Sequence, residues 1–352
     1  MKTDNLACVA GQLVAQNKGL LAIDESIGTC NRRFAALGIP QTVEMRRAWR
    51  ELLVTTPSLG QSISGVILND ETIRQATSIG ASFVSVLTGA EIIAGIKVDT
   101  GATELAGHPG ETITEGLDGL RARLEAYAQM GARFAKWRGV IAIGGTFPSR
   151  GCIEANAQAL ARYAAVCQQV GLVPVVEPDV LMAGNHDLGR CADVTAAVLH
   201  AVFRHAYEQD VELESMILKP NMVLAGADCP IQPDLDEVAD TTLATLLRAV
   251  PAAVPGIAFL SGGQSAELAS ARLNVMNVRF LGRMPWQLAF SFARAIQQPA
   301  LEIWLGKADR VPAAQAAVKH RAQCNQAART GVYDKAMEGL PEMGTHNTAP
   351  TP

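Results

Sequence analysis

The chain has 352 residues, 49% of them hydrophobic and 18% charged, with a formal net charge of -4. So large an apolar share supports a sizeable core and excludes wholesale disorder. The acidic balance argues against a nucleic-acid partner, which is met by a basic face, and no apolar run reaches the roughly 20 residues of a membrane helix.

The opening stretch, MKTDNLACVAGQLVAQNKG, spaces Leu6, Val9, Leu13 and Val14 as one face of an amphipathic helix. It lacks the positive-then-apolar layout of a secretory leader. Strands are then expected at Gly19–Asp24, Ile63–Asn69, Ile92–Val98, Ala132–Arg138, Leu172–Glu177, Ser215–Lys219, Gly256–Ser261 and Trp286–Phe292. Amphipathic helices such as Asn156–Val170 and Asp236–Val250 separate them. Near-continuous apolar runs suit parallel strands covered on both faces. Eight strand-then-helix units predict an α/β fold, a closed (β/α)8 TIM barrel, although an open doubly wound sheet uses the same alternation. No Gly-x-Gly-x-x-Gly turn follows the first strand, which weakens the dinucleotide-binding form of that alternative. Residues 1–336 are expected to form one domain and 337–352, where periodicity fades, a mobile tail.

Seven scattered cysteines with no C-x-x-C pair predict reduced thiols in a cytoplasmic protein. Of six histidines only His200 and His205 are close, and not at the spacing of a zinc helix. Neither a metal nor another cofactor is expected.

Polar residues sit at the C-terminal ends of the apolar runs: Asp24, Lys97, Lys136 with Arg138, Glu177, Lys219, Ser261, and Ser291 with Arg294. In a barrel these ends share one mouth, where active sites are built. A single lysine there ordinarily just reaches solvent; several together with two carboxylates form a constellation. A lysine attacks a ketone only as the free amine, so its pKa must fall by several units from about 10.4. Burial lowers it, and a neighbouring cation such as Lys136 would add to the effect. The resulting iminium stores the electrons of a broken carbon–carbon bond. Glu177 suits the proton transfers of its formation, and Asp24 the removal of a hydroxyl proton.

The segment FLSGGQS places Ser261 and Gly262 after the seventh strand, where barrels often hold a phosphate, and Arg294 follows the eighth. Glycine backbone N–H groups and a following helix N-terminus attract an anion. The run DESIGTCNRR offers Ser26, Thr29, Arg32 and Arg33 after the first strand, either as a helix start or, with Lys97, as a second phosphate site.

At these residues the chain resembles the class I fructose-bisphosphate aldolases. LAIDES, GVIL, GIKVD, GETITEGLDGL, FAKWR, VPVVEP, HDLGRC, LKPNMV and FLSGGQS follow that family's patterns in order, from about Lys18 to about Tyr333. The resemblance implies reversible cleavage of fructose 1,6-bisphosphate to dihydroxyacetone phosphate and glyceraldehyde 3-phosphate, a step of glycolysis and gluconeogenesis. It implies Lys219 as the Schiff-base lysine, Glu177 as general acid/base, Lys136 as stabiliser of charge and Asp24 as the aid to proton removal. Ser261, Gly262 and Arg294 would bind one phosphate and Ser26, Thr29 and Lys97 the other, with Arg33 and Arg138 completing the charged lining. It further implies a metal-free homotetramer whose partners are small sugar phosphates.

The chain departs from the pattern at Asp179, where a glutamate is common, at Ala293 in place of glycine and at Thr29 in place of serine. It ends THNTAPTP rather than in tyrosine, and its last tyrosine is Tyr333. Fructose 1-phosphate and sedoheptulose 1,7-bisphosphate stand as alternative substrates. A non-catalytic sugar-phosphate-binding or scaffold protein is the reading from a different class, and a metal-dependent aldolase would need the clustered histidines that this sequence lacks.

Overall fold

The computed structural model describes residues 2–15 and 17–339. Strands β1 (Gly19–Ala22), β2 (Ile63–Leu68), β3 (Ile93–Lys97), β6 (Phe134–Ile141), β7 (Val173–Val180), β8 (Ile217–Leu218), β9 (Gly256–Phe259) and β10 (Gln287–Phe292) are linked by helices. A separate antiparallel hairpin joins β4 (Gly101–Glu104) to β5 (Thr112–Glu115). The barrel closes because β1 pairs in parallel with both β2 and β10. That closure decides between the barrel and the open sheet: this is a (β/α)8 TIM barrel.

Side-chain alternation explains how each strand serves two cores. On one face Leu21, Ala135, Val176 and Leu218 join the large cluster beneath the surrounding helices. On the other, Leu20, Phe134, Val173, Val175 and Ile217 fill the barrel interior. The opening helix, Lys2–Leu13, plugs the bottom of that interior with Leu6, Val9, Ala10 and Leu13, followed by Val14. The expected apolar face is therefore a barrel plug. Gly95 in β3 is required by this packing, since a Cβ there would lie 2.2 Å from the Phe134 ring. Arg329 closes the plug from below, donating from its guanidinium to the backbone carbonyls of Val14 and Lys18.

Two strands outrun their expected ends. β6 continues past Arg138 to Ile141 and β7 past Glu177 to Val180, paired residue for residue. Lys136 and Glu177 thus sit within strands, on inward positions, with further ladder beyond them. Met337 and Glu338, expected in the tail, belong to the short helix Lys335–Glu338; Glu338 accepts from Tyr333 Oη at 2.6 Å and from Arg321. Gly339 follows that helix, and the remainder of the expected tail, 340–352, lies outside the described residues. Among the described residues no helix is long and apolar enough to cross a membrane.

Candidate active site

The inward alternation places charge above the apolar layers. Leu20 and Ala22 are followed by Asp24, Ile93 and Gly95 by Lys97, Phe134 by Lys136 and Arg138, Val175 by Glu177 and Asp179, and Ile217 by Lys219. Strand pairing brings Lys97 beside Lys136 and Arg138 beside Glu177. The result is a pocket of about 370 Å³ at the C-terminal mouth of the barrel, a size that suits a small ligand.

At its floor, Lys136 Nζ donates to Asp24 Oδ2 at 3.0 Å and lies 2.7 Å from Glu177 Oε2. The other oxygen, Glu177 Oε1, is 3.4 Å from Lys219 Nζ. All four groups are buried, with Lys219 3% exposed. Burial pushes the Lys219 amine down to about 8; Arg138 adds to the fall while Asp24 opposes it. Lys136 is likewise pushed down to about 8 by burial, and further by Lys219 and Arg138, against the pull of Asp24. The repulsion between the two buried lysines is mutual, so Lys136 acts on Lys219 beside Arg138. Burial alone would raise the Asp24 carboxyl, but Lys136, Lys219 and Lys97 together hold it well below the usual carboxylate range.

One side of the mouth gathers groups that could hold an anion. Gly262 and Gly263 adopt φ of 59° and 94°, a left-handed pair that only glycine tolerates without strain. Arg294 begins the helix Arg294–Trp304, and its Nη2 lies 3.2 Å from where a Cβ on Gly263 would be. Ala293 caps that helix at φ -106°, a value open to any L residue, so alanine sits there without a left-handed penalty. Ser291 Oγ lines the same wall, and among the described residues it has no hydrogen-bond partner.

Across the pocket, Ser26 caps the helix Ile27–Ala35 and donates from Oγ to Thr29 Oγ1 at 3.1 Å. The helix start and the candidate phosphate site are therefore the same residues. Lys97 Nζ is 2.5 Å from Asp99 Oδ1. Asp99 also accepts from the Arg138 backbone N–H at 3.2 Å, tying β3 to β6. Arg138 Nε donates to Asp179 Oδ2 at 2.7 Å, so the shorter acidic side chain still reaches the arginine; no ion pair of Asp179 with Lys136 forms.

Of the residues expected at the site, all but Arg32 and Arg33 line this pocket. Arg33 is a correction. Its guanidinium donates to Glu25 at 2.6 Å and to Gln297 and Gln298 at 3.2 Å, which draws it behind the wall. Glu25 lines the pocket instead, clamped also by Arg50. Sequence reasoning missed Glu25 and Asp99. Each directly follows a predicted strand (Asp24-Glu25, Val98-Asp99), a signal that was present.

Among the described residues a further group of possible metal ligands, His320, Cys324 and Glu338, lies outside the pocket lining, and Arg321 holds its carboxylate.

A family model described as fructose-bisphosphate aldolase class-I matches residues 5–348. A probable fructose-bisphosphate aldolase class 1 of Xanthomonas axonopodis pv. citri is 56% identical over 304 residues, covering 86% of this chain and 90% of that protein. Fructose-bisphosphate aldolase B of Gallus gallus is 50% identical over 329 residues, covering 93% and 90%. Among solved structures, a fructose-bisphosphate aldolase of Plasmodium falciparum, in complex with TRAP and a small-molecule inhibitor, superposes with a TM-score of 0.93. It is 44% identical and the match covers 95% of this chain and 96% of that one.

Proposed function

The chain belongs to the class I fructose-bisphosphate aldolases, carbon–carbon lyases, and from that premise we propose how its pocket cleaves fructose 1,6-bisphosphate. Lys219, as the free amine, adds to the C2 carbonyl. Glu177, within reach of the amine, carries the protons that turn the carbinolamine into an iminium with loss of water. The C3–C4 bond then breaks: its electrons pass to the iminium as an enamine, and Asp24, held ionised, accepts the C4 hydroxyl proton. Glyceraldehyde 3-phosphate leaves. Protonation at C3 and hydrolysis of the imine release dihydroxyacetone phosphate and restore Lys219.

Lys136 steadies the two carboxylates through both stages. Ser261, Gly262 and Arg294 take the phosphate on the dihydroxyacetone side; Ser26, Thr29 and Lys97, with Arg138 nearby, take the other. The observation that carries this reading is the placement of Glu177 between two buried amines, one engaged at 2.7 Å and one loosely at 3.4 Å.

The enzyme acts as a single domain that extends at least to Glu338, assembles as a homotetramer and works in the cytoplasm. Supporting the last, a relative 48% identical over 335 residues is a cytoplasmic isozyme of Pisum sativum, and the described thiols are all unpaired. Incubation with fructose 1,6-bisphosphate and a strong chelator should give both trioses in equal amounts. Absence of trioses would favour the scaffold reading, and chelator-sensitive activity a metal-dependent one. Light scattering should return four times the chain mass.

A further inference from the structure

Resting on the reading of Ser261, Gly262 and Arg294 as a phosphate cradle, we propose that Arg272 is a positioning residue, holding the cradle in shape and charging it from behind. Arg272 projects from the helix Ala266–Arg279, which follows the cradle, and is only 7% exposed. Among the described residues no carboxylate pairs with it, and its buried Nε has no partner. Burial pushes its pKa down from the usual arginine value. Its Nη1 donates to Gln264 Oε1 at 2.7 Å.

Gln264 passes that contact on. Its side-chain Nε2 donates to the Ser261 carbonyl at 3.0 Å, and its backbone N–H donates to the same oxygen at 3.0 Å. A guanidinium only donates, so Arg272 requires the amide oxygen of Gln264 to face it and the amide nitrogen to face Ser261. The carboxamide is thereby locked in one of its two orientations, and the first residue of the cradle is held at its carbonyl.

A cation buried without a counter-ion is unfavourable, and an apolar side chain would pack this helix position better. The missing negative charge arrives with the ligand: Ser261 lies two hydrogen bonds from the guanidinium and a phosphate monoester bound to it three, through protein rather than water, where screening is weak.

The test compares Arg272→Met, Arg272→Lys, Gln264→Leu and the Arg272→Met/Gln264→Leu double variant, reading kcat, KM for fructose 1,6-bisphosphate, the inhibition constant of inorganic phosphate and Tm. Arg272→Met should raise KM and the phosphate constant about tenfold, leave kcat within about twofold and leave Tm unchanged or higher. Arg272→Lys should recover part of the affinity, since it keeps charge without the planar fork. The double variant should be no worse than the poorer single one.

Unchanged phosphate affinity in Arg272→Met, or a fall in kcat at constant KM, would overturn the proposal. Should that variant fail to fold, Gln264→Leu and Arg272→Lys decide by the same readouts. Arg294→Met separates the two levels. If it binds inorganic phosphate as well as the parent, the cradle reading falls and this proposal with it. If it binds weakly while Arg272→Met binds normally, only the role of Arg272 is lost.

Discussion

The Lys219 amine stands 3.4 Å from Glu177, within reach of a proton transfer but too far for a good hydrogen bond. The carboxylate is anchored by its other oxygen to Lys136, so it is held in place without pinning the Lys219 amine. Glu177→Gln preserves shape and removes the proposed proton carrier. Its kcat should fall by about 10²–10⁴ with little change in KM. Loss of a nearby negative charge favours the free amine, so that fall cannot be assigned to a protonated nucleophile. Steady-state kinetics check it.

The pH dependence follows from burial. Lys219 and Lys136 are both pushed down to about 8 from 10.5. Below that value the amine is protonated, and kcat/KM should lose about tenfold per pH unit. Arg138 is one cause of the fall in Lys219, so Arg138→Met should move this acidic limb to higher pH, apart from any change in its height.

The same shifts bear on stability. A lysine whose folded pKa lies below its unfolded value binds fewer protons when folded, so its contribution to stability rises with pH between about 8 and 10.5. Below about 8 the cost of burying the charge is fully present. Lys219→Met should therefore raise Tm at pH 7 while abolishing cleavage. Thermal melts at pH 7 and 10 check both, since the gain should shrink at the higher pH.

Much of this was legible in the sequence because it rests on periodicity. Each of the eight predicted barrel strands is found, and so is the plug face of Leu6, Val9 and Leu13. The β4–β5 hairpin was not, because its residues are mostly half-buried or exposed and carry no apolar period. The ends of β6 and β7 were misread because charged inward residues interrupt the apolar runs while the backbone ladder continues. Arg33 was misplaced for another reason. A long side chain on a helix goes where its partners are, and one of them, Gln297, is 264 residues away in sequence.

The two anion sites should separate by substrate. Lys97 lines the pocket on the side of Ser26 and Thr29. Lys97→Met should raise KM for fructose 1,6-bisphosphate about tenfold or more and leave KM for fructose 1-phosphate nearly unchanged. Equal losses on both substrates would argue against a separate second phosphate site.

The plug is a matter of stability alone. Leu13 is fully buried against the barrel floor, so Leu13→Ala should cost about 3 kcal/mol in denaturant unfolding and leave KM unaltered.

The central claim is that Lys219 forms the imine, and trapping tests it most directly. Borohydride reduction with dihydroxyacetone phosphate, then peptide mapping, should find one stable adduct, on the peptide carrying Lys219, absent from Lys219→Met. An adduct on Lys136 or Lys97 instead, or none while the native enzyme still cleaves its substrate, would contradict the account.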